Sequence, residues 1–375
     1  MRTRGHLAAM SVTLALCGGA LTAAPPHASA SAELLDTVTT KQSRTSLSAF
    51  LVAPAETAAK KRNFGRAIAL YQGLATARGP ASAEARKLAT LWTLAGQADD
   101  AARVLTAFAA ATADPGAATE ARTEAARVLA NPDPYAKRLE LPVLAVEAKR
   151  AFKQGRVAFA KQQWGDALVS FHIGYALAPD LPGFLRELGA TYEKLESADK
   201  KLAFYRAYLL RRPFGKNADV VRAELGRSPN ALGALKLAAS LPCDQIWVNA
   251  QRVPGAMPTK PLAVAPGSYK AMCLSNKYEM AIFEYAAVAA GQTVDLRFDW
   301  AIVVNQLTAP LGRIVIENYQ NPSMMIDLGV STPEYGVGVP HDGRGLRLVV
   351  KDETGTRIEE RSVRIRPGER YVVKW

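Results

Sequence analysis

Beyond residue 30, this 375-residue chain holds two histidines, His172 and His341. Catalysis and metal binding must start from them, and their settings offer little. His172 follows Phe171 inside a helix-periodic segment, where a helix-face imidazole is expected. His341 sits in Pro340-His341-Asp342-Gly343, a turn. Neither has a second histidine at ligand spacing, and no His-Glu-x-x-His occurs, so no metal site is expected. A Gly-x-Ser-x-Gly nucleophile elbow is missing. Gly215-Lys216 lacks the upstream glycine of a phosphate loop. Paired carboxylates of the glycosidase kind have no fixed spacing. Asp295 and Glu317 fall on or beside strands, where solvated faces account for them. The expectation is a non-enzyme with no catalytic residue, metal or cofactor.

What remains for function is charge and shape. Lys and Arg number 47 against 34 Asp and Glu, a net charge of +13. Such a balance favours anionic partners: acidic proteins, lipid headgroups or wall polymers. No dense basic run or nucleic-acid motif is present, so nucleic acid is not expected.

The elements that must position any binding residue are read from periodicity. Gly155, Phe171 and Pro179 recur as Gly189, Tyr205 and Pro213, each 34 residues on. Ala67, Tyr71 and Leu74 recur as Ala101, Leu105 and Phe108 at the same spacing. A fixed period of this size implies stacked helix pairs, because one pair cannot bury its apolar face alone. Leu88, Leu91, Trp92 and Ala95 follow i, i+3, i+4, i+7, and the turn Gly96-Gln97-Ala98-Asp99 separates that helix from the next. Helical repeats are expected over 31–130 and 138–230. A linker at 131–137 is marked by Asn131-Pro132-Asp133-Pro134.

On Gly155, Ala167, Phe171 and Pro179, then Leu188, Gly189, Tyr192, Tyr205 and Pro213, the chain resembles tetratricopeptide repeats. It departs at Lys201, where the family has a small residue, and at Gly174, where alanine is usual. The resemblance implies a solenoid in which the first helix of each pair lines a concave face. In that register one such helix presents Lys149, Phe152, Arg156 and Phe159, and the next presents Arg186, Glu193 and Lys194. The implied site is a basic, partly aromatic groove holding an extended acidic segment of a protein partner. The other account of these residues is a solvated charged face over ordinary core aromatics.

After Pro229-Asn230 the period falls to two. Val294, Leu296 and Phe298 alternate with Asp295 and Arg297, and Tyr371, Val373 and Trp375 alternate with Val372 and Lys374. Gly291 and Phe298 match Gly368 and Trp375 at 77 residues, Gly267 matches Gly345 at 78, and Gly233–Leu237 matches Gly312–Ile316 at 79. Pro242 and Ile246 match Pro322 and Ile326 at 80. The expectation is two small antiparallel β-sandwiches, 233–300 and 312–375. The first resembles the PEGA-type surface module at Leu241-Pro242, Ile246-Trp247-Val248-Asn249, Pro261-Leu262, Pro266-Gly267 and Ala290-Gly291. The second keeps Pro322, Gly345 and Pro367-Gly368 but departs over Ser331 to Asp342. That resemblance implies an envelope or cell-surface adaptor with no catalytic role. Tyr269, Tyr278, Phe283, Tyr285 and Trp300 are either sandwich core or a sugar-stacking face.

Residues 1–30 read as an export signal: Arg2 and Arg4, an apolar run from Leu7 to Leu21, then Ala28-Ser29-Ala30 for cleavage. The run is short for a membrane anchor. Losing Arg2 and Arg4 leaves a mature charge of +11. Cys243 and Cys273 then remain, and an even pair in an exported chain reads as one disulfide, with two buried thiols as the alternative. Closing that 30-residue loop would add about 3 kcal/mol in the chain-entropy model. The functional expectation is an exported adaptor that captures a protein partner. The alternative is a peptidoglycan- or glycan-binding envelope protein acting through the β modules.

Overall fold

The computed structural model describes residues 37–375, except 229, 256, 279, 308–310, 330–333, 353 and 375. The export-signal expectation lies outside the described residues, as does Trp375.

The helical half runs α1 (Lys41–Ser48), a 3-10 turn (Ala49–Leu51), α2 (Val52–Lys60), α3 (Phe64–Arg78), α4 (Ala83–Leu94), α5 (Ala98–Ala111), α6 (Pro115–Ala130), α7 (Ala145–Ala160), α8 (Trp164–Leu177), α9 (Gly183–Lys194), α10 (Ala198–Arg211) and α11 (Lys216–Gly226). Four hairpins result: α2–α3, α4–α5, α7–α8 and α9–α10. Each turns through one left-handed residue, Arg62, Gly96, Gln162 or Glu196. Each is closed by a bond from the next residue to the carbonyl five back: Asn63 to Ala58, Gln97 to Trp92, Gln163 to Ala158 and Ser197 to Tyr192. That is the Schellman arrangement, which satisfies the orphan carbonyls of the ending helix. Within each half the turns are 34 residues apart, and between halves 100 apart. The unit repeated at 100 residues is therefore an arm of two hairpins with a closing helix, α6 or α11.

In the second arm the close approach of each helix pair rests on glycine against aromatic ring, whereas the first arm has Ala55 and Ala89 at those places. A Cβ on Gly155 would lie under 3.0 Å from Phe171, and one on Gly189 under 3.0 Å from Tyr205. The ring occupies the place of the missing side chain, so the two helices approach closely. Gly174 has the same cause, because Phe184 of the following helix fills its Cβ position.

The arms do not run on as one superhelix. α3 packs directly on α8, its counterpart in the other arm, and α1 wedges against both. Residues 131–144 return along the first arm. The Gln97 side chain donates to Lys137 O (2.9 Å) and accepts from Leu139 N (3.3 Å), while Pro142 lies beside Gly65. The linker expected at 131–137 is thus longer, and it is tied down. α8 is covered by α7, α9, α3 and α1, so Gly165 and Ala167 through Tyr175 are all buried. A helix enclosed on all sides must be apolar all round.

His172 is one consequence. It lies fully buried within α8, not on an open helix face, with Nε2 2.9 Å from the Tyr192 hydroxyl. Burial, and secondarily Lys200, lowers its pKa from 6.5 to about 3. The folded state holds it neutral while the unfolded state protonates near 6.5, so stability is complete above that pH. As pH falls from 6.5 towards 3, this residue should cost about 1.4 kcal/mol per pH unit. His172→Gln, which keeps a partner for Tyr192, should flatten that slope in urea unfolding between pH 7 and 4. An unchanged slope would place the acid sensitivity elsewhere.

The second half runs β1 (Gly233–Ala239), β2 (Gln245–Val248), β3 (Gln251–Arg252), β4 (Leu262–Val264), β5 (Gly267–Ser275), β6 (Met280–Val288), β7 (Thr293–Phe298), β8 (Trp300–Asn305), β9 (Leu311–Asn318), β10 (Asn321–Gly329), β11 (Glu334–Gly338), β12 (Leu346–Asp352), β13 (Arg357–Val363) and β14 (Arg370–Val373). The sheets are β4-β1-β7 over β3-β2-β5-β6, then β11-β8-β14 over β10-β9-β12-β13. The two sandwiches share one topology. Most pairs are antiparallel, but β1–β7 and β8–β14 are parallel, so the modules are mixed and not purely antiparallel.

The register corrects the sequence match. Ala234 pairs with Thr293 as Ile302 pairs with Arg370, which makes β8 the counterpart of β1 at an offset of 68, while β14 follows β7 at 77. Gly312–Ile316 belongs to β9, the counterpart of β2, and Pro322 and Ile326 belong to β10. The second module therefore begins at Trp300, not at 312. Only Asp299 separates β7 from β8, and β8 is buried on both sides. Trp300, Ile302 and Val304 join the first core while Ala301 and Val303 join the second. A strand buried on both faces loses the alternation that marks a module's first strand.

Cys243 and Cys273 form a disulfide with Cα atoms 5.5 Å apart, linking the approach to β2 with β5. The first module is fixed to the second arm. Asn249 Nδ2 donates to Leu210 O (2.9 Å), Arg222 Nε to Ala263 O (3.0 Å) and Arg206 Nε to Ala231 O (3.0 Å).

Candidate partner-binding groove

A groove of about 750 Å3 opens where α7, α9 and the end of α10 meet β3. α7 contributes Lys149 and Phe152, and α9 contributes Phe184 and Arg186. Tyr208 lies in the last turn of α10, Arg212 follows that helix, Phe214 comes from the turn into α11, Lys216 begins α11, and Gln251 comes from β3. The floor is aromatic. Phe152 meets Phe184 edge-on at 5.5 Å and Phe171 at 5.8 Å between ring centroids. Burial raises the pKa of the Tyr208 phenol, against the pull of Arg186 and Arg212.

Among the described residues, four cations and no carboxylate line this groove. Lys149, Arg212 and Lys216 have no ion-pair partner among the described residues. α7, α9 and α11 all begin at its rim, at Ala145, Gly183 and Lys216, and none has a side-chain cap. Each start carries the positive end of a helix dipole, which favours an anion.

Of the residues singled out in the sequence, Lys149, Phe152 and Arg186 share this groove. Arg156 and Arg186 both pair with Glu187, a buried carboxylate; Arg156 Nη1 is 3.0 Å from it. Arg156 is therefore partly spent within the fold. Phe159 packs edge-on against Trp164, centroids 4.9 Å apart, outside the groove. Lys194 is exposed at the far end of α9, also outside it, and Glu193 pairs with Lys201 (2.8 Å). Arg212, Lys216, Tyr208, Phe214 and Gln251 were missed. They come from a second helix, a turn and a strand, and a helix-A register cannot show those.

The carboxylates weighed for chemistry are placed in structural pairs. Asp295 sits 3.3 Å from Lys236 at exposed positions of β7 and β1. Glu317 accepts from Arg344 (2.6 Å) and Arg347 N (3.1 Å). His341 bridges the modules, with Nδ1 3.2 Å from Asp299 and Nε2 3.3 Å from Glu284, which also accepts from the Tyr319 hydroxyl. Among the described residues, no group of three His, Cys, Asp or Glu could hold a metal ion.

No family model matches the chain, and no curated protein matches it. Among solved structures it is similar to the crystal structure of the MamA protein, at 18% identity and a TM-score of 0.18, over 44% of this chain and 90% of that one. It is also similar to the Bacillus anthracis TIE protein, at 12% identity and a TM-score of 0.14, over 38% and 34%. Likenesses this slight carry no argument about function, which rests on the groove itself.

Proposed function

We propose that this chain is a non-enzymatic adaptor that holds an extended acidic segment of a protein partner in the groove between α7, α9, α10 and β3. One observation carries the reading: an aromatic floor ringed by four cations, three of them without an ion-pair partner among the described residues, with three uncapped helix starts at the rim. Charged groups already satisfied inside the fold have little left for a ligand, whereas these do. The floor of Phe152, Phe184 and Tyr208 would take one apolar side chain of the bound segment. On this reading the hairpins are tetratricopeptide-type repeats, and the β halves are PEGA-type modules that set the groove's distance from an envelope surface. Export fits the disulfide, which persists in oxidising compartments. Among the described residues no helix is long and apolar enough to cross a membrane.

The test is fluorescence anisotropy with a labelled peptide rich in Asp and Glu around a single Phe. Binding should weaken steeply with salt. Lys149→Glu with Arg212→Glu should weaken it about 100-fold or more, since two charge-assisted contacts are worth about 1.5–3 kcal/mol each. Glu187→Gln, which releases Arg156 and Arg186, should tighten it. Equal affinity in the double variant would remove the groove as the site.

A further inference from the structure

We infer that the outer face of the first four-stranded β sheet, β3-β2-β5-β6, is a platform for a carboxylated glycan strand. Its inner face is core, with Ile246, Val248, Cys273 and Ile282 buried. Strand alternation then puts the intervening residues outside, where an antiparallel sheet facing water normally carries polar side chains. Here the central row is apolar and aromatic. Trp247, Met272 and Phe283 stand directly opposite one another across three strands, and Lys270 with Tyr285 forms the neighbouring row. Tyr285 is 69% exposed. Lys270 Nζ lies 4.2 Å from the Phe283 ring centroid and 5.8 Å from that of Tyr285.

The second module is an internal control, because it has the same topology. At the places of Trp247, Met272 and Phe283 it carries Val315, Val349 and Glu360, and opposite Arg347 it has Ser362. Of its outer cations Arg313 pairs with Asp327, and Arg347 and Arg357 with Glu360, while Lys351 has no ion-pair partner among the described residues. The aromatic row is therefore no requirement of the fold. The first face also differs in charge. Lys270 and Arg252, which stands opposite Trp247, have no ion-pair partner among the described residues. No described residue at an outward position of these four strands is a carboxylate.

Charge and shape select the occupant. Trp247 and Phe283 are two strand spacings apart, about 10 Å, on an open sheet. Sugar rings can lay their C–H faces on such rings, and carboxylates on the same strand would meet Lys270 and Arg252. A peptide would need pockets for its side chains, and a flat sheet offers none. Two cations at about 1 kcal/mol each are too few to hold the chain on an anionic bilayer.

The test is calorimetric titration of the full chain with hexagalacturonate, and with maltohexaose as the uncharged probe. Hexagalacturonate should bind and maltohexaose should not. Tyr285→Ala and Lys270→Ala should each weaken binding about tenfold, the scale of one aromatic or cation contact. Arg347→Ala, the counterpart of Lys270 on the second module, should leave it unchanged. So should Lys149→Glu with Arg212→Glu, which separates this face from the groove proposed above. No binding, equal binding of maltohexaose, or equal loss in Arg347→Ala would overturn the platform. So would Tyr285-dependent binding to phosphatidylglycerol vesicles or to an acidic peptide in place of the uronate.

Discussion

Trp300→Ala should unfold both β modules together. The indole is fully buried, and its Nε1 donates to Leu241 O (3.0 Å). Its backbone is locked to Ser240, whose hydroxyl accepts from Trp300 N (2.8 Å) and donates to Trp300 O (2.7 Å). Truncating a buried Trp costs about 3–5 kcal/mol, the transfer term plus the cavity left behind. What makes this position unusual is its strand. β8 gives one face to the first core and the other to the second, and it hydrogen-bonds on both edges, to β11 and β14. A cavity under Trp300 loosens a strand that the second module needs as its centre. Differential scanning calorimetry of the variant should show one β transition lowered by about 10 °C. Two separated transitions, with only one displaced, would contradict a shared strand.

The second large effect is in the helical half. Gly155→Ala and Gly189→Ala should each destabilise by about 1–3 kcal/mol, although alanine is the better helix former by about 1 kcal/mol. The added methyl lands on Phe171 in one case and on Tyr205 in the other, both buried. A buried ring cannot move aside without opening the α7–α8 or α9–α10 contact. Pairing Gly189→Ala with Tyr205→Leu should recover part of the loss, because the methyl then has room. Urea unfolding followed by circular dichroism at 222 nm reads both. A gain in stability from either single glycine change would show that close approach of the helices is not what the glycines provide.

The hairpins were legible because their spacing is local. The 34-residue recurrence of glycine and aromatic names the residues that touch across the two pairs of the second arm. The meeting of α3 with α8 was not legible, since both helices carry the same pattern and nothing local says which buried face meets which. His172 shows the cost of that gap: covered by a neighbouring helix, it reads in sequence like a helix-face residue. The β duplication was visible from Gly267, Gly291, Gly345 and Gly368. Its start was hidden because Trp300–Asn305 carries no alternation and abuts β7. Of the groove, the sequence supplied Lys149, Phe152 and Arg186, which recur on one helix face. The rest comes from segments that only the junction with the first sandwich brings together, such as Phe214, whose N–H faces Gln251 Oε1 at 3.4 Å.

The groove is tested most directly by mapping where an acidic peptide touches the chain. A photo-reactive residue placed at Phe152, and in a second variant at exposed Val157 on the same helix, can be irradiated with the Asp/Glu peptide bound. Cross-linking at 152 and not at 157, abolished by Lys149→Glu with Arg212→Glu, is the predicted result. Cross-linking at 157 alone, or at neither position while the peptide still binds, would contradict the groove as the site of capture.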